Sequence, residues 1–306
     1  MVHTNFKPDR DIPDLSGKVI LVTGGNSGLG AESCLRFAEH NPAEIYLGAR
    51  SKAKAEQAIA SIKETSPNAK ITFLEMDLTN LASVKAAAES FMASSKRLDV
   101  LMNNAGIMAC PADLTADGFE IQFGTNHVGH FLLTKILLPV LQETAKLPDT
   151  DVRIVNISSR GHKFSTKGLL LEDACTDMSS YNTFTRYGQS KIANIFFTQE
   201  LAKRYPGIRC VSLHPEDVNT NLVSGFKKSW PWVPDFVWNA AGALVATNVQ
   251  QGALNQLWAS VSPDVRSGEY YDPVGKIGSI SAPVKDASNA PKLWKWTEME
   301  MEKRGY

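Results

Sequence analysis

Tyr187 and Lys191 stand four residues apart in RYGQSKIAN, a spacing that on a helix puts a phenol and an ammonium on one face. A free phenol has a pKa of about 10, and bringing it to about 7, where a general acid works best, takes roughly 4 kcal/mol. One cation at ~4 Å contributes about that much at an effective dielectric near 20. The pair could therefore protonate an oxygen at neutral pH. Alone, the spacing says little, since Tyr-x-x-x-Lys also arises by chance with the ring half-buried and the lysine solvated. A second stretch, TGGNSGLG at 23–30, sets Gly24, Gly28 and Gly30 where a chain must turn tightly, admit a pyrophosphate to its backbone and pack a helix on a strand. The helix that follows would offer unbonded N–H groups and a positive dipole end. A nucleotide fits this pattern, and a plain turn is the alternative.

Other candidates are less sharp. In SLHPEDVNT, Glu216 and Asp217 follow a proline at the end of an apolar run, either as an acid pair or as the polar tip of a loop. His127 and His130 lie three apart without a third ligand of fitting spacing, so helix packing explains them better than a metal site. His214 ends a strand and reads as structural. His162 is expected to line a substrate cavity. Cys34, Cys110, Cys175 and Cys210 are far apart with no CxxC, which fits incidental thiols in a reducing compartment.

These groups need a frame. The runs KVILVTG (18–24), EIYLGAR (44–50), ITFLEMD (71–77), LDVLMNN (98–104), VRIVNIS (152–158) and IRCVSLH (208–214) are nearly continuous in apolar residues. Such strands are covered on both faces. Amphipathic segments lie between them, so an α/β fold with right-handed crossovers is expected, a doubly wound parallel sheet of Rossmann type in a single domain over 1–306. An N-terminal extension (1–17) precedes it and a C-terminal amphipathic helix (287–306) closes it. Two long connections, 160–186 and 222–240, break the rhythm. The second carries Trp230, Trp232, Phe236 and Trp238 and reads as a substrate loop for something bulky and apolar.

The chain has 306 residues, 43% of them hydrophobic, with 32 basic and 32 acidic side chains. Zero net charge and the lack of a basic tract argue against nucleic acid as a partner. A polar N-terminus and no long apolar window argue against a signal peptide or a transmembrane anchor, so a cytoplasmic location is expected. The second strand ends in Ala49-Arg50-Ser51, followed by Lys52 and Lys54. A carboxylate here would hold a free ribose hydroxyl, whereas a guanidinium pairs with a 2′-phosphate; NADPH or NADP+ is therefore favoured over NADH.

In chain order, TGxxxGxG at 23–30, NNAG at 103–106, Asn126 in TNHVGHFLLT, VNISS at 155–159, Tyr187-x-x-x-Lys191 and His214-Pro215 resemble the short-chain dehydrogenase/reductase family. The resemblance covers nearly the whole chain and is strongest with soluble, retinol-dehydrogenase-like and fungal-type members. It implies an NADP-dependent oxidoreductase, a carbonyl reductase or alcohol dehydrogenase, acting on a bulky hydrophobic ketone, aldehyde or secondary-metabolite intermediate. Tyr187 would exchange the proton, and Ser159 would hydrogen-bond the substrate oxygen. Lys191 would hold the nicotinamide ribose, and Asn126 would anchor a water. It further implies cofactor contacts at Gly24, Ser27, Gly28, Leu29, Gly30, Arg50, Lys54, Asp77 (adenine), Asn103 (the adenine-side ribose), Val218 and Thr220 (the carboxamide), with Ser158, Asn104 and Asn156 as structural neighbours. No metal is implied. Family members often form dimers or tetramers, so a homo-oligomer is among the expected partners. The family pattern has glycine where this chain has Glu216. Two further readings therefore stay open: a non-redox isomerase or cyclase using Glu216 beside a retained NADP, and a non-catalytic NADP-binding regulatory protein.

Overall fold

Each of the six apolar runs becomes a strand of one parallel sheet: β1 Val19–Thr23, β2 Glu44–Ala49, β3 Ile71–Glu75, β4 Val100–Asn103, β5 Arg153–Ile157 and β6 Arg209–Leu213. The computed structural model describes residues 5–216 and 248–306. Within them two more strands extend the sheet. β7 Tyr270–Asp272 runs parallel to β6, and β8 Lys276–Ile277 returns antiparallel, giving the order β3-β2-β1-β4-β5-β6-β7-β8. These two show no apolar periodicity because they are three and two residues long and are joined through Pro273, which has no N–H to give a ladder. The expected substrate loop at 222–240, with Trp230, Trp232, Phe236 and Trp238, lies outside the described residues, as do Asp217, Val218 and Thr220.

Helices cover both faces, as the uninterrupted burial of β1, β4 and β5 requires. α1 Gly28–Ala38, α2 Lys52–Thr65 and α6 Val249–Val261 lie on one side, where Ile20, Val22, Met102, Val155 and Leu257 share a core. α3 Leu81–Ser94, α4 Gly129–Ala145, α5 Thr183–Arg204 and α7 Asn289–Lys303 lie on the other, around Leu101, Ile154, Phe131 and Phe197. Side-chain caps fix several starts: Asn80 accepts from Ala82 and Ser83 N–H, Asn182 from Thr185, and Asn248 from Gln250. The C-terminal helix α7 packs against α5. Trp294 stacks on Phe197 with centroids 5.9 Å apart, and the Arg204 guanidinium sits 4.5 Å over the indole. Among the described residues no helix is long and apolar enough to cross a membrane.

β1 lies between β2 and β4. The chain leaves β1 toward β2 on one side, and later elements build outward from β4 on the other. This reversal opens a crevice at the carboxyl ends of the central strands, where α/β sheets of this kind take their ligands.

Candidate active site

The loop after β1 is tied down before it opens. Gly24 and Gly25 both donate to the carbonyl of Gly48 in β2, at 2.7 and 3.3 Å. Gly24 adopts φ +67°, a conformation that side chains disfavour. At Gly30 a Cβ would lie 2.4 Å from the Gly24 oxygen and 2.6 Å from Asn104 Nδ2, so only glycine lets α1 pack this tightly on the loop. Ser27, the extended residue before α1, makes no side-chain cap bond. The first-turn N–H groups of Gly28, Leu29 and Gly30 therefore face the crevice with the positive helix end behind them, which suits a pyrophosphate. The donor set fits a dinucleotide.

Arg50 is exposed just past the end of β2 and makes no ion pair among the described residues, whereas the nearby Lys52 pairs with Glu56 at 3.8 Å. Ser51 caps α2 by accepting from the Lys54 N–H, leaving the exposed Lys54 amine in solvent. Asp77 is half-buried past the end of β3, where one carboxylate oxygen accepts from Thr79 N–H and hydroxyl at 2.9 and 2.8 Å.

The Asn103 side chain lies in the core. It is 1% exposed, and Nδ2 donates to Asn156 Oδ1 (2.8 Å) and Thr134 Oγ1 (3.1 Å), away from the crevice. Strand alternation is the reason. Asn103 shares a face with Leu101 and looks toward α3–α5, while Asn104 follows Met102 toward α1. Asn104 is the residue at the loop: its Nδ2 donates to the Thr23 carbonyl at 2.8 Å, and its Oδ1 accepts from Gln256 at 3.2 Å.

α5 presents Tyr187 and Lys191 inward, 5% and 3% exposed, with Lys191 Nζ 5.6 Å from the centre of the phenol ring. The ammonium and the phenol are therefore neighbours in one buried site. The ammonium donates to the Ile157 carbonyl at 3.0 Å, and burial lowers its pKa to about 8. Ser158 is structural, its hydroxyl donating to the Lys191 carbonyl at 2.7 Å.

Two glycines let the remaining groups close in. A Cβ at Gly161 would lie 2.7 Å from Tyr187 Cε1 and 3.3 Å from Ser159 Oγ, so phenol and hydroxyl flank one bare backbone position. A Cβ at Gly106 would lie 3.2 Å from Asn126 Oδ1 and 3.4 Å from Lys191 Nζ, so amide and ammonium flank another. Asn126 sits in a π-turn, Gly124–Val128, an irregularity often found at functional positions. Its Oδ1 accepts from Ile107 N–H at 2.8 Å, while Nδ2 donates to the Ile107 carbonyl and to Ser190 Oγ, both at 2.9 Å. The structure thus brings Asn126, Ser159, Tyr187 and Lys191 together.

The histidines divide. His127 is buried among Phe123, Phe131 and Phe197, and desolvation pushes its pKa down to about 3, in line with a packing role. His214 directly follows β6, its N–H donating to the Tyr271 carbonyl and its carbonyl accepting from Asn255 Nδ2. Among the described residues no group of three or more His, Cys, Asp or Glu is arranged to hold a metal ion. His162 is packed behind Ser159. It is 0% exposed, its Nδ1 is 2.7 Å from the Ser159 carbonyl, and its Nε2 accepts from Ser281 N–H at 3.3 Å. It braces the serine from behind. Glu216 is half-buried after Pro215 and is not among the described residues with positive φ, so its φ is one that any residue can adopt. Sequence reasoning quoted Gly106 only as the last residue of NNAG and missed Gly161 and Gln256; closeness to Ser159 was the one signal for Gly161, and Gln256 had none.

Comparison with known proteins gives the family. The family described as short chain dehydrogenase matches residues 18–170. A short-chain dehydrogenase/reductase of Aspergillus calidoustus, drtF, is 40% identical over 309 residues, covering 96% of each chain. Human retinol dehydrogenase 11 is 37% identical over 92% of this chain and 84% of its own. The 3-ketoacyl-(acyl-carrier-protein) reductase of Brucella melitensis, solved with NADH, superposes with a TM-score of 0.63 at 26% identity over 85% of this chain and 98% of that one. With this relatedness over nearly its full length, the chain belongs to the short-chain dehydrogenase/reductase family, as a retinol-dehydrogenase-like oxidoreductase.

Proposed function

We propose that the protein is an NADPH-dependent carbonyl reductase, or an alcohol dehydrogenase in the reverse direction, acting on a bulky hydrophobic ketone or aldehyde. The observation that carries this reading is the convergence of the Tyr187 phenol, the buried Lys191 ammonium, Ser159 and Asn126 on two bare glycines, next to a loop built for pyrophosphate. NADPH, when bound, supplies a hydride to the substrate carbon. The chain's own residues handle the oxygen. Ser159 Oγ, held through its bond with Gly161 N–H, orients that oxygen and stabilises charge as it develops. Tyr187 delivers the proton, and Lys191 favours the phenolate left behind. Asn126, its side chain fully engaged with Ile107 and Ser190, keeps the surroundings of the ammonium rigid.

Gly28, Leu29 and Gly30 would hold the pyrophosphate, Arg50 and Lys54 the 2′-phosphate, and Asp77 the adenine. The Arg50 guanidinium, which makes no ion pair among the described residues, supports NADPH, since a free 2′-hydroxyl offers it nothing to neutralise. The aromatic residues of 222–240 and the likeness to a retinol dehydrogenase support a bulky apolar substrate. The test is a screen of hydrophobic ketones and aldehydes with NADPH depletion as readout, repeated with Tyr187→Phe. Turnover in the wild type and none in a variant that still binds NADPH is expected. Turnover that survives the change would refute the assigned acid. Deuterated cofactor tests the non-redox alternative, because stoichiometric label in the product contradicts it.

A further inference from the structure

We infer that His130 is a positioning residue that ties the glycine loop to the π-turn carrying Asn126, coupling dinucleotide binding to the proton-handling end of the site. This rests on the reading above. His130 lies in the first turn of α4 and is 1% exposed. Its Nδ1 is 3.0 Å from the carbonyl oxygen of Asn126, and its Nε2 is 2.8 Å from Thr23 Oγ1. A carbonyl only accepts, so Nδ1 carries the hydrogen, and the Thr23 hydroxyl must donate to Nε2. Thr23 Oγ1 already accepts two backbone N–H groups, Asn104 and Ala105, and has no lone pair left for a third, so the neutral Nδ1–H form is the one that satisfies every partner. Burial favours that form, pushing the pKa down to about 4; the bond to Asn126 opposes this and the charge of Lys191 adds to it. His127, four-fifths of a turn away, is the other titratable neighbour.

Thr23 passes the constraint on. With its hydrogen directed to the ring, Oγ1 accepts from Asn104 and Ala105 N–H, each at 2.9 Å. The Met102 carbonyl, at 3.5 Å, is too distant to compete for that hydrogen. Thr23 is the last residue of β1 and adjoins Gly24, against whose would-be Cβ both Ala105 and Asn104 pack, at 3.1 and 3.3 Å. One imidazole therefore joins the strand end that opens the cofactor loop to the backbone of the residue beside Lys191. Neither neighbour could do this alone, since Thr23 and Asn126 belong to different layers.

Three substitutions separate the two bonds. His130→Asn keeps an N–H near the position of Nδ1 and loses the reach to Thr23; His130→Gln keeps the reach to Thr23 and loses Asn126; His130→Phe loses both. NADPH affinity is measured by fluorescence titration, kcat and its pH profile on the best carbonyl found, and the ring tautomer of the wild type by 15N NMR between pH 5.5 and 8. Expected is a neutral Nδ1–H ring throughout. In His130→Asn the loss of affinity, about tenfold, should exceed the loss in kcat at least fivefold. In His130→Gln the loss in kcat should dominate, with a displaced pH profile, and in His130→Phe both losses should appear. An Nε2–H or protonated ring at pH 6 overturns the inference. So do losses that run in parallel in all three variants and track melting temperature, which a merely structural histidine would give. If the wild type binds NADPH but reduces no carbonyl, the functional reading fails while the affinity and NMR measurements still decide this one. A chain that binds no dinucleotide overturns both.

Discussion

Replacing Lys191 by Met should abolish reduction and yet make the cofactor-free protein more stable at neutral pH. The ammonium is 3% exposed, and burial takes its pKa from the ordinary 10.5 down to about 8. Because the folded-state value lies below the unfolded one, the penalty is fully present below pH 8. It is relieved as pH rises from 8 toward 10.5, where the folded state has lost a proton that the unfolded state still holds. That difference of about 2.5 units corresponds to roughly 3 kcal/mol. Methionine retains much of the stem packing but forfeits the bond to the Ile157 carbonyl, worth about 1 kcal/mol. That carbonyl is not orphaned, because Asn194 Nδ2 also donates to it at 3.0 Å. The net expectation at pH 7 is a gain of about 2 kcal/mol, or roughly 4 °C in Tm. Urea melts of both proteins at pH 7, 8.5 and 10 without dinucleotide would read it, the gap narrowing and then closing as pH rises. A variant less stable than wild type at pH 7, or a gap indifferent to pH, would refute the claim that the site holds a desolvated charge.

Other substitutions probe the rest of the arrangement. Arg50→Ala should weaken NADPH by about 10- to 100-fold while leaving NADH nearly unchanged, measured by titration; equal losses would contradict a 2′-phosphate contact. Gly161→Ala puts a methyl 2.7 Å from Tyr187 Cε1, so kcat should fall by up to about 100-fold with NADPH affinity preserved. Arg186→Met strips Glu120, 0% exposed, of its partner at 3.1 Å and should lower stability by about 3–5 kcal/mol in denaturant melts. Burial already raises the Glu120 pKa, so this loss should shrink as pH falls and the carboxyl takes a proton.

Local patterns carried most of the fold and the centre of the site. Continuous apolar runs fix the six parallel strands because burial on both faces leaves no other use for them, and the glycine loop and the Tyr–Lys spacing are set within single elements. Contacts made across the chain were not legible in the same way. His130 is four residues from Asn126, which hints at one bond, but its second partner Thr23 is 107 positions away. His162 lies three residues from Ser159, yet its other partner Ser281 is 119 away. At Asn103 and Asn104 a period of two along β4 decides orientation, sending the Asn103 side chain into the core and leaving that of Asn104 at the loop.

The buried polar chain behind the site explains why these assignments hang together. Asn103 bonds Asn156, Asn156 bonds Thr198, Thr198 bonds the Asn194 carbonyl, and Asn194 shares the Ile157 carbonyl with Lys191. Asn103, Asn156, Thr198, Asn194 and Lys191 are each at most 3% exposed, and Ile157 is buried as well. An apolar core of the same shape would be at least as stable, since buried polar groups gain little beyond what water gave them. What the polar chain adds is a fixed position for one ammonium beneath one phenol. The stability withheld at Lys191 is thus the counterpart of the chemistry, which is why the same substitution is expected to strengthen the fold and silence the enzyme.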